Sequence, residues 1–396
     1  MTKVYIVDDD IQIAELLMAT VEGIGLNSQY FTSAKAFLQL SVDAADIILL
    51  DLNMPDIDGI EVIRILGKNG CQAQLVLISG HDKGILHSAE QLAQAHLLKV
   101  AASFTKPFQM EEFKALIKEI SQDTLSSNNV ACDQQALLTA NELKSGIQNN
   151  QLILHYQPQV DVRTGELRGV EALVRWQHPE RGLVYPDQFI GLAERNDLIA
   201  DLTASVIAMS IEQSRQWQDG GLTTRMSVNI SSDNITSLSL PEQLTEMLSH
   251  NQLDPARLSL EVTESALMGE LVTSLDILTR LRMKGFALSI DDFGTGYSSL
   301  SQLHKIPFTE LKIDRSFIVS MTQDDESKAI VKTCILLGHE LNMEIVAEGV
   351  ETQEILDTLK EFGCDIAQGY YISRPVSADA LFEWAMKNTQ QLLVEH

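Results

Sequence analysis

Short apolar runs alternate with amphipathic stretches over roughly the first 120 residues. Val4 to Val7 is followed by a helical pattern around Ile11 to Ile24, and further apolar runs occupy Asp46 to Leu50, Leu75 to Ser79 and Ala101 to Thr105. This is a βαβ rhythm, which predicts a parallel sheet covered by helices. Between Ser121 and Thr139 the chain reads SQDTLSSNNVACDQQALLT, without Lys or Arg and rich in small polar residues, which predicts a linker. We therefore expect a first domain at 1–121, a linker at 122–139 and a second domain at 140–396. In the second, strand patterns recur at 152–160, 167–176, 226–231, 258–263, 286–291, 310–314, 344–348 and 367–372, most of them separated by amphipathic helices such as 271–284 and 327–341. The first two are joined only by the turn-like Arg163-Thr164-Gly165. Eight strands in this arrangement predict a (β/α)8 barrel whose first strand runs against the others.

Composition narrows the function. With 29 Lys+Arg against 55 Asp+Glu the formal charge is −26, a field that repels phosphate backbones and anionic lipid, so DNA and membrane partners are not expected. Cys71, Cys132, Cys334 and Cys364 lie far apart without CxxC spacing, which argues against a disulfide framework or a thiolate zinc site and fits a reducing cytoplasm. The histidines show no metal-ligand spacing either, so any metal is expected to be a hard cation on oxygen, Mg²⁺ or Mn²⁺ first. No secretory leader or apolar span of membrane length is read, and a cytoplasmic location is expected.

In the first domain Asp8 and Asp9 follow the first strand, Asp51 closes the run Ile47-Ile48-Leu49-Leu50, Ser79 ends another strand and Lys106 another, just before Pro107. The carboxyl ends of parallel strands share one edge, so these five side chains should converge in one cleft. Clustered carboxylates hold Mg²⁺, an aspartate can accept a phosphoryl group, and a hydroxyl with an ammonium can contact its oxygens. The segments VDDD (7–10), DLNMP (51–55), Asp58-Gly59, Ser79-Gly80 and Lys106-Pro107 resemble the response-regulator receiver domain. The resemblance implies a flavodoxin-like fold, Asp51 as phosphoacceptor, Asp8 and Asp9 as Mg²⁺ carboxylates, and Ser79 and Lys106 as switch contacts. One position departs: the family's aromatic switch residue is Ser103 here, with Phe104 beside it.

In the second domain polar residues recur within or at the carboxyl ends of strand after strand: Glu171 and Arg175, Asn229, Glu261, Asp291 and Asp292, Lys312 and Asp314, and Glu348. A carboxylate aimed into a barrel is costly unless something binds it, and that end of a (β/α)8 barrel is the catalytic face. Glu171, Asn229, Glu261 and Asp291 suffice for one divalent ion, while Asp292 and Glu348 add donors for a second. Two such ions clamp the attacking and leaving oxygens of a phosphoryl displacement. Lys312 is placed to orient the water or stabilise phosphorane charge, and Arg175 to grip a nonbridging oxygen. The glycine-hinged DDFGTGYSSL (292 onward within 291–300) predicts a lid.

The segments EALVRW, SVNIS, EVTES, DDFGTGYSSL, LKIDRSF, AEGVET and AQGYYISRP, over about residues 140–390, resemble the EAL family of cyclic di-GMP phosphodiesterases. The resemblance implies hydrolysis of cyclic di-GMP to linear pGpG with two Mg²⁺ or Mn²⁺ ions. It implies Glu171, Asn229, Glu261, Asp291 and Asp292 as metal ligands, Lys312 and Glu348 at the second metal and the water, and Glu171 as catalytically essential. Arg175, Asp314 and Gln368 fall on the substrate side, and Glu264 with Phe293, Gly294, Thr295 and Gly296 belongs to the lid. The two resemblances together imply a response regulator whose output is second-messenger degradation. Its expected partners are cyclic di-GMP, a sensor histidine kinase or phosphotransfer protein, and further copies of itself in a dimer or larger homo-oligomer. A catalytically silent cyclic di-GMP receptor or interaction module is the alternative reading, with an enolase-like metal lyase behind it; turnover separates them.

Overall fold

Five parallel strands form the first sheet: β1 Lys3–Val7, β2 Asn27–Phe31, β3 Ile47–Asp51, β4 Gln74–Ser79 and β5 Lys99–Thr105, in the order β2-β1-β3-β4-β5. The structure is a computed structural model, and it describes residues 2–40, 42–80, 83–96, 98–106, 108, 110, 113–118, 120, 121, 138–263, 271–294 and 305–394. β3 and the last five residues of β4 are buried throughout because helices cover both faces of the sheet, the usual setting of parallel strands. Alternation sorts the side chains cleanly. Tyr5, Val7, Ile48, Leu50, Leu75 and Leu77 enter one apolar core, and Val4, Ile6, Ile47, Leu49, Val76 and Ile78 enter the other.

The helices start where short acidic side chains cap them. Asp10 accepts from the Gln12 and Ile13 amides at the head of α1 (Ile11–Gly23), and Asp58 accepts from the Glu61 amide at α3 (Gly59–Lys68), after the short α2 (Ala34–Phe37). A fourth helix, α4 (Lys83–Ala95), precedes β5. This is the flavodoxin-like order.

The chain divides into two units, residues 1–136 and 137–396. In the second, Thr139 and Glu142 form a reciprocal capping box that starts α5 (Ala140–Gln148). The strands are β6 Leu152–Asp161, β7 Leu167–His178, β8 Gly182–Val184, β9 Arg225–Asn229, β10 Leu258–Thr263, β11 Ala287–Phe293, β12 Glu310–Ile313, β13 Glu344–Ala347 and β14 Ile366–Ala367. Apart from β8, which pairs only with the end of β7, they close into a ring, β6-β14-β13-β12-β11-β10-β9-β7, with β7 returning to β6. β6 is antiparallel to both neighbours, as expected, and the others run parallel. Asp161 ties the β6–β7 turn by accepting from the Arg163 and Thr164 amides. Outward residues such as Val228, Leu260, Ile290, Leu311 and Ile345 pack under the surrounding helices. Each such fully buried aliphatic side chain is worth about 1.5–3 kcal/mol.

Three strands differ from the sequence expectation. β2 and β8 form where no strand is read, the first because NSQYF carries no apolar run and stays partly exposed. The last strand, expected at 367–372, is only Ile366–Ala367, because the chain turns after Gln368 and the Ile372 and Ser373 amides both donate to Gly369 O. The expected linker lies almost wholly outside the described residues, except that 138 and 139 lead into α5.

Candidate active site

At the carboxyl edge of the first sheet, Asp8 follows β1, Asp51 ends β3, Ser79 ends β4 and Lys106 follows β5. Lys106 Nζ bridges two of them, 2.7 Å from Asp8 Oδ2 and 3.1 Å from Asp51 Oδ2. Its backbone N–H donates to Ser79 O at 2.7 Å. Asp8, Asp9 and Asp51 each bring a carboxylate oxygen within 4.8 Å of the others. Burial raises the Asp51 pKa and the Asp8 charge adds to that, while Lys106 opposes them. Burial would lower Lys106, but its hydrogen bond to Asp8 and the Asp51 charge outweigh it and raise it. All five residues expected here therefore share one edge. Phe104 is buried, with its ring centroid 5.6 Å from that of Phe113, in the core opposite the face of Leu77, the register partner of Ser103.

The second site is deeper. Glu171 on β7, Glu261 on β10, Asp291 on β11 and Lys312 on β12 are all buried, Glu261 and Lys312 at 0% and 1% exposure. Lys312 Nζ lies 2.6 Å from Glu348 Oε1, 3.0 Å from Glu261 Oε1, 3.1 Å from Asp291 Oδ1 and 3.8 Å from Glu171 Oε1. The ammonium is off the hydrogen-bonding direction for Glu261, so both Glu261 oxygens remain without a hydrogen-bond partner despite full burial. Burial works to lower the Lys312 pKa, but Asp291, Glu171, Glu261 and Glu348 together push it well above the usual lysine range. Burial raises Glu261 well above the carboxylate range even though Lys312 opposes it. Glu348 is pushed up to about 8, by burial first and by Asp291 and Glu171 after that, against the pull of Lys312. Asp292 is raised to about 6 by burial and then by Asp291 and Asp314. It also sits at φ 54°, a left-handed backbone that turns its side chain away from the strand alternation.

Amides fix the rest of the ring. Asn229 donates to Glu171 Oε1 at 3.0 Å through its amide nitrogen, which leaves its carbonyl oxygen to ligate a cation. Gln368 donates to Glu171 Oε2 at 2.5 Å and accepts from Gln159 at 2.9 Å. Asp291, Asp292 and Glu348 bring carboxylate oxygens within 4.8 Å of one another. Next to Glu348, Gly349 stands at φ 70°, and a Cβ there would lie 2.1 Å from Arg315 Cγ, so only glycine lets the chain carry Glu348 into the ring. Glu171, Asp291, Glu348 and Gln368 line a cavity of about 250 Å³, and a second of about 710 Å³, lined by Leu173, Val174, Pro186, Ile190 and Asn229 among others, opens beside it.

Arg175 is buried, its guanidinium carbon 5.3 Å from the Tyr185 ring centroid, and donates to Val174 O; Asp314 caps α6 (Arg315–Ser320) through the Ser316 amide. Of the lid residues, Phe293 ends β11 and Gly294 follows it, whereas Glu264, Thr295 and Gly296 lie outside the described residues. Gln157 and Gln159 on β6 are not singled out in the sequence, although two glutamines at period 2 in a mostly apolar strand are the same signal as Glu171.

The fold and the two sites define a class: a doubly wound domain with an aspartate–lysine cleft, joined in one chain to a barrel with an acidic mouth. The chain belongs to the EAL domain family, which matches residues 140–375, and residues 4–118 match the response regulator receiver domain. It is 31% identical over 363 residues, 91% of each chain, to the cyclic di-GMP phosphodiesterase RocR of Pseudomonas aeruginosa. It is 43% identical over 249 residues to the bifunctional diguanylate cyclase/cyclic di-GMP phosphodiesterase MucR of the same organism, covering 63% of this chain and 36% of that one. The chain thus spans about a third of the length of the first curated relatives it matches. Among solved structures, the PaMucR phosphodiesterase in complex with c-di-GMP aligns with a TM-score of 0.58 at 43% identity, over 61% of this chain and 98% of that one.

Proposed function

We propose that this chain hydrolyses cyclic di-GMP to linear pGpG in its barrel, with phosphorylation of Asp51 by a sensor kinase or phosphotransfer protein setting the rate. The observation that carries the reading is the excess of charge at the barrel mouth. Glu171, Glu261, Asp291, Asp292 and Glu348 bring five carboxylates against the single ammonium of Lys312. With all five ionised the balance is −5 + 1 = −4, which two divalent cations neutralise; without such cations burial holds Glu261 and Glu348 towards their protonated forms. Glu171, Asn229, Glu261 and Asp291 would hold one Mg²⁺ or Mn²⁺, and Asp292 with Glu348 would complete a second. Such ions polarise a phosphoryl oxygen and make water a nucleophile at neutral pH.

The side chains supply the remainder. Lys312, kept protonated by its carboxylate neighbours, faces charge that develops on the phosphoryl oxygens. Gln368 and Asn229 hold both oxygens of Glu171 in one orientation. The two cavities flank the ring, the larger being apolar enough to receive a nucleobase. Asp314, capping α6, and Arg175, on β7 next to Val174 of the larger cavity's wall, are proposed on the substrate side, and the segment from Glu264 and from Phe293 to Gly296 is proposed as the lid. In the first unit, Asp51 is proposed as phosphoacceptor, Asp8 and Asp9 as the Mg²⁺ carboxylates, and Ser79 with Lys106 as the contacts of the phosphoryl oxygens. Domain limits of 1–121 and 140–396, action in the cytoplasm and assembly into a homo-oligomer belong to the same reading; among the described residues no helix is long and apolar enough to cross a membrane.

The test is incubation of the purified protein with cyclic di-GMP and Mg²⁺ or Mn²⁺, with products resolved by chromatography beside Glu171→Ala. pGpG from the wild type alone supports the enzyme. Tight binding without product would make the chain a receptor. For the receiver, a phosphodonor should change the turnover of the wild type and leave Asp51→Asn unchanged; equal responses would sink the regulatory half.

A further inference from the structure

From β9 to β12 the interior of this barrel is lined by polar side chains, where (β/α)8 barrels ordinarily pack branched apolar ones; Val346 and Ile366 keep the opposite wall apolar. Arg225 on β9 meets Glu310 on β12 at 2.5 Å, and β10 and β11 lie between those strands in the ring, so the pair joins across the lumen. Alternation then places Ser227 on the lumen face with Arg225, Ser259 with Glu261, and Ser289 with Asp291. Their strand neighbours Val228, Leu260 and Ile290 belong to the outer apolar core. Register links the three serines to the groups above and below them: Ser227 is opposite Ser259, and Ser289 is opposite both Glu261 and Glu310.

All three serines are fully buried, and none of their hydroxyls has a hydrogen-bond partner. Glu261 Oε2 and Glu310 Oε1 have none either, and Glu261 Oε1 has only the Lys312 ammonium, at 3.0 Å and off the hydrogen-bonding direction. Unpaired hydroxyls and carboxylate oxygens grouped in one enclosed space are costly, and the ordinary resolution is internal water making about three hydrogen bonds to such groups. The donor and acceptor types match that occupant. Carboxylates only accept, water supplies the donors, and serine hydroxyls rotate to fit either role. An apolar filler would satisfy none of them.

We propose that the lumen beneath the carboxylate ring is a built hydration site, in which Ser227, Ser259 and Ser289 hold internal waters that fix the Glu261 carboxylate from below. Resting on the metal-dependent reading of the mouth, this makes the serines positioning residues. They act through water on a proposed metal ligand, as outer partners of ligands generally do. Arg225 and its carboxylates close the lumen at the base.

The experiment has two arms that do not use turnover. In the first, a high-resolution crystal structure of the full chain should place ordered water within hydrogen-bonding distance of Ser259 Oγ and Glu261. In the second, Ser259→Ala is compared with wild type by thermal unfolding and by calorimetric titration with Mn²⁺ without nucleotide. The expected result is a lowered Tm and roughly tenfold weaker Mn²⁺ binding. A dry Ser259 hydroxyl with unchanged or raised Tm, as removal of an unpaired group would give, overturns the hydration site. Water present but Mn²⁺ affinity unaltered overturns the positioning role. If Mn²⁺ binds and water is found while cyclic di-GMP is not cleaved, the phosphodiesterase reading fails and the hydration site stands.

Discussion

Both ends of the barrel set basic groups among carboxylates, and they differ in charge balance. At the base, Arg225 pairs with Glu310 at 2.5 Å and Glu344 at 2.8 Å, and Arg168 pairs with Glu344 at 3.0 Å, so two guanidiniums face two carboxylates. At the mouth, one ammonium faces a crowd of carboxylates, four of them within 3.8 Å. Burial does not separate the ends, since Glu310 and Lys312 are each 1% exposed and stand two residues apart on β12. Balance separates them. A neutral buried network needs nothing further, whereas uncompensated negative charge in a low-dielectric site persists only where a cation is to be bound.

The largest effect is expected at the mouth. Glu261→Gln removes one carboxylate of the excess, so hydrolysis should fall at least about a hundredfold, the size of several kcal/mol of metal-ion stabilisation. The metal-free protein should meanwhile unfold at the same or a higher temperature, because repulsion is relieved. Product formation and thermal scans in chelator read the two halves. A loss of Tm would break the comparison by showing that Glu261 is structural.

The base should give the reverse. Arg225→Met leaves Glu310 buried without its cation, which costs about 3–5 kcal/mol in denaturant unfolding. Turnover per folded molecule should be kept, because the mouth residues are untouched. Abolished turnover in the folded fraction would mean that the two ends act as one network.

Metal removal sharpens the contrast through pH. Burial and neighbouring carboxylates raise Glu348 to about 8 and Asp292 to about 6, both above the unfolded values of 4.5 and 3.8. For such groups the stability contribution is fully present below the unfolded pKa and is lost as pH rises through the folded one. The metal-free protein should therefore lose stability between about pH 4 and pH 8, and saturating Mn²⁺ should flatten that slope. Tm measured across this range with chelator and with Mn²⁺ decides it; parallel curves would show that the mouth binds no cation.

The mouth was legible in the sequence and the base was not, for a physical reason. Glu171, Glu261 and Lys312 interrupt apolar strand patterns, so alternation alone marks them as inward and anomalous. Arg225, Glu310 and Glu344 are the first residues of their strands, where a single charge reads as an ordinary solvated end. Only closure of the ring shows that they meet. Ser227, Ser259 and Ser289 were invisible for a related reason: serine inside a strand is unremarkable until its hydroxyl proves to have no partner. Apolar runs and turn residues marked most strands of both units, but the flavodoxin-like order came with the receiver resemblance, since the polar NSQYF of β2 hides that strand; the length of β14 was hidden too, because the turn that ends it is made by backbone bonds to Gly369 O.

The smallest effect tests how far the base is a network rather than a pair. The Arg168 side chain is 49% exposed and that of Glu344 23%, against 21% and 1% for Arg225 and Glu310. Water and salt screen the outer pair, so Arg168→Ala should cost under about 1 kcal/mol, and less as ionic strength rises. Glu344 keeps Arg225 as a partner in that variant, so no buried charge is left alone. Denaturant unfolding at low and high salt, for Arg168→Ala beside Arg225→Met, gives the comparison directly. A loss from Arg168→Ala as large as that from Arg225→Met would mean that the outer guanidinium holds the inner one in place, and the base would then count as one cooperative cluster.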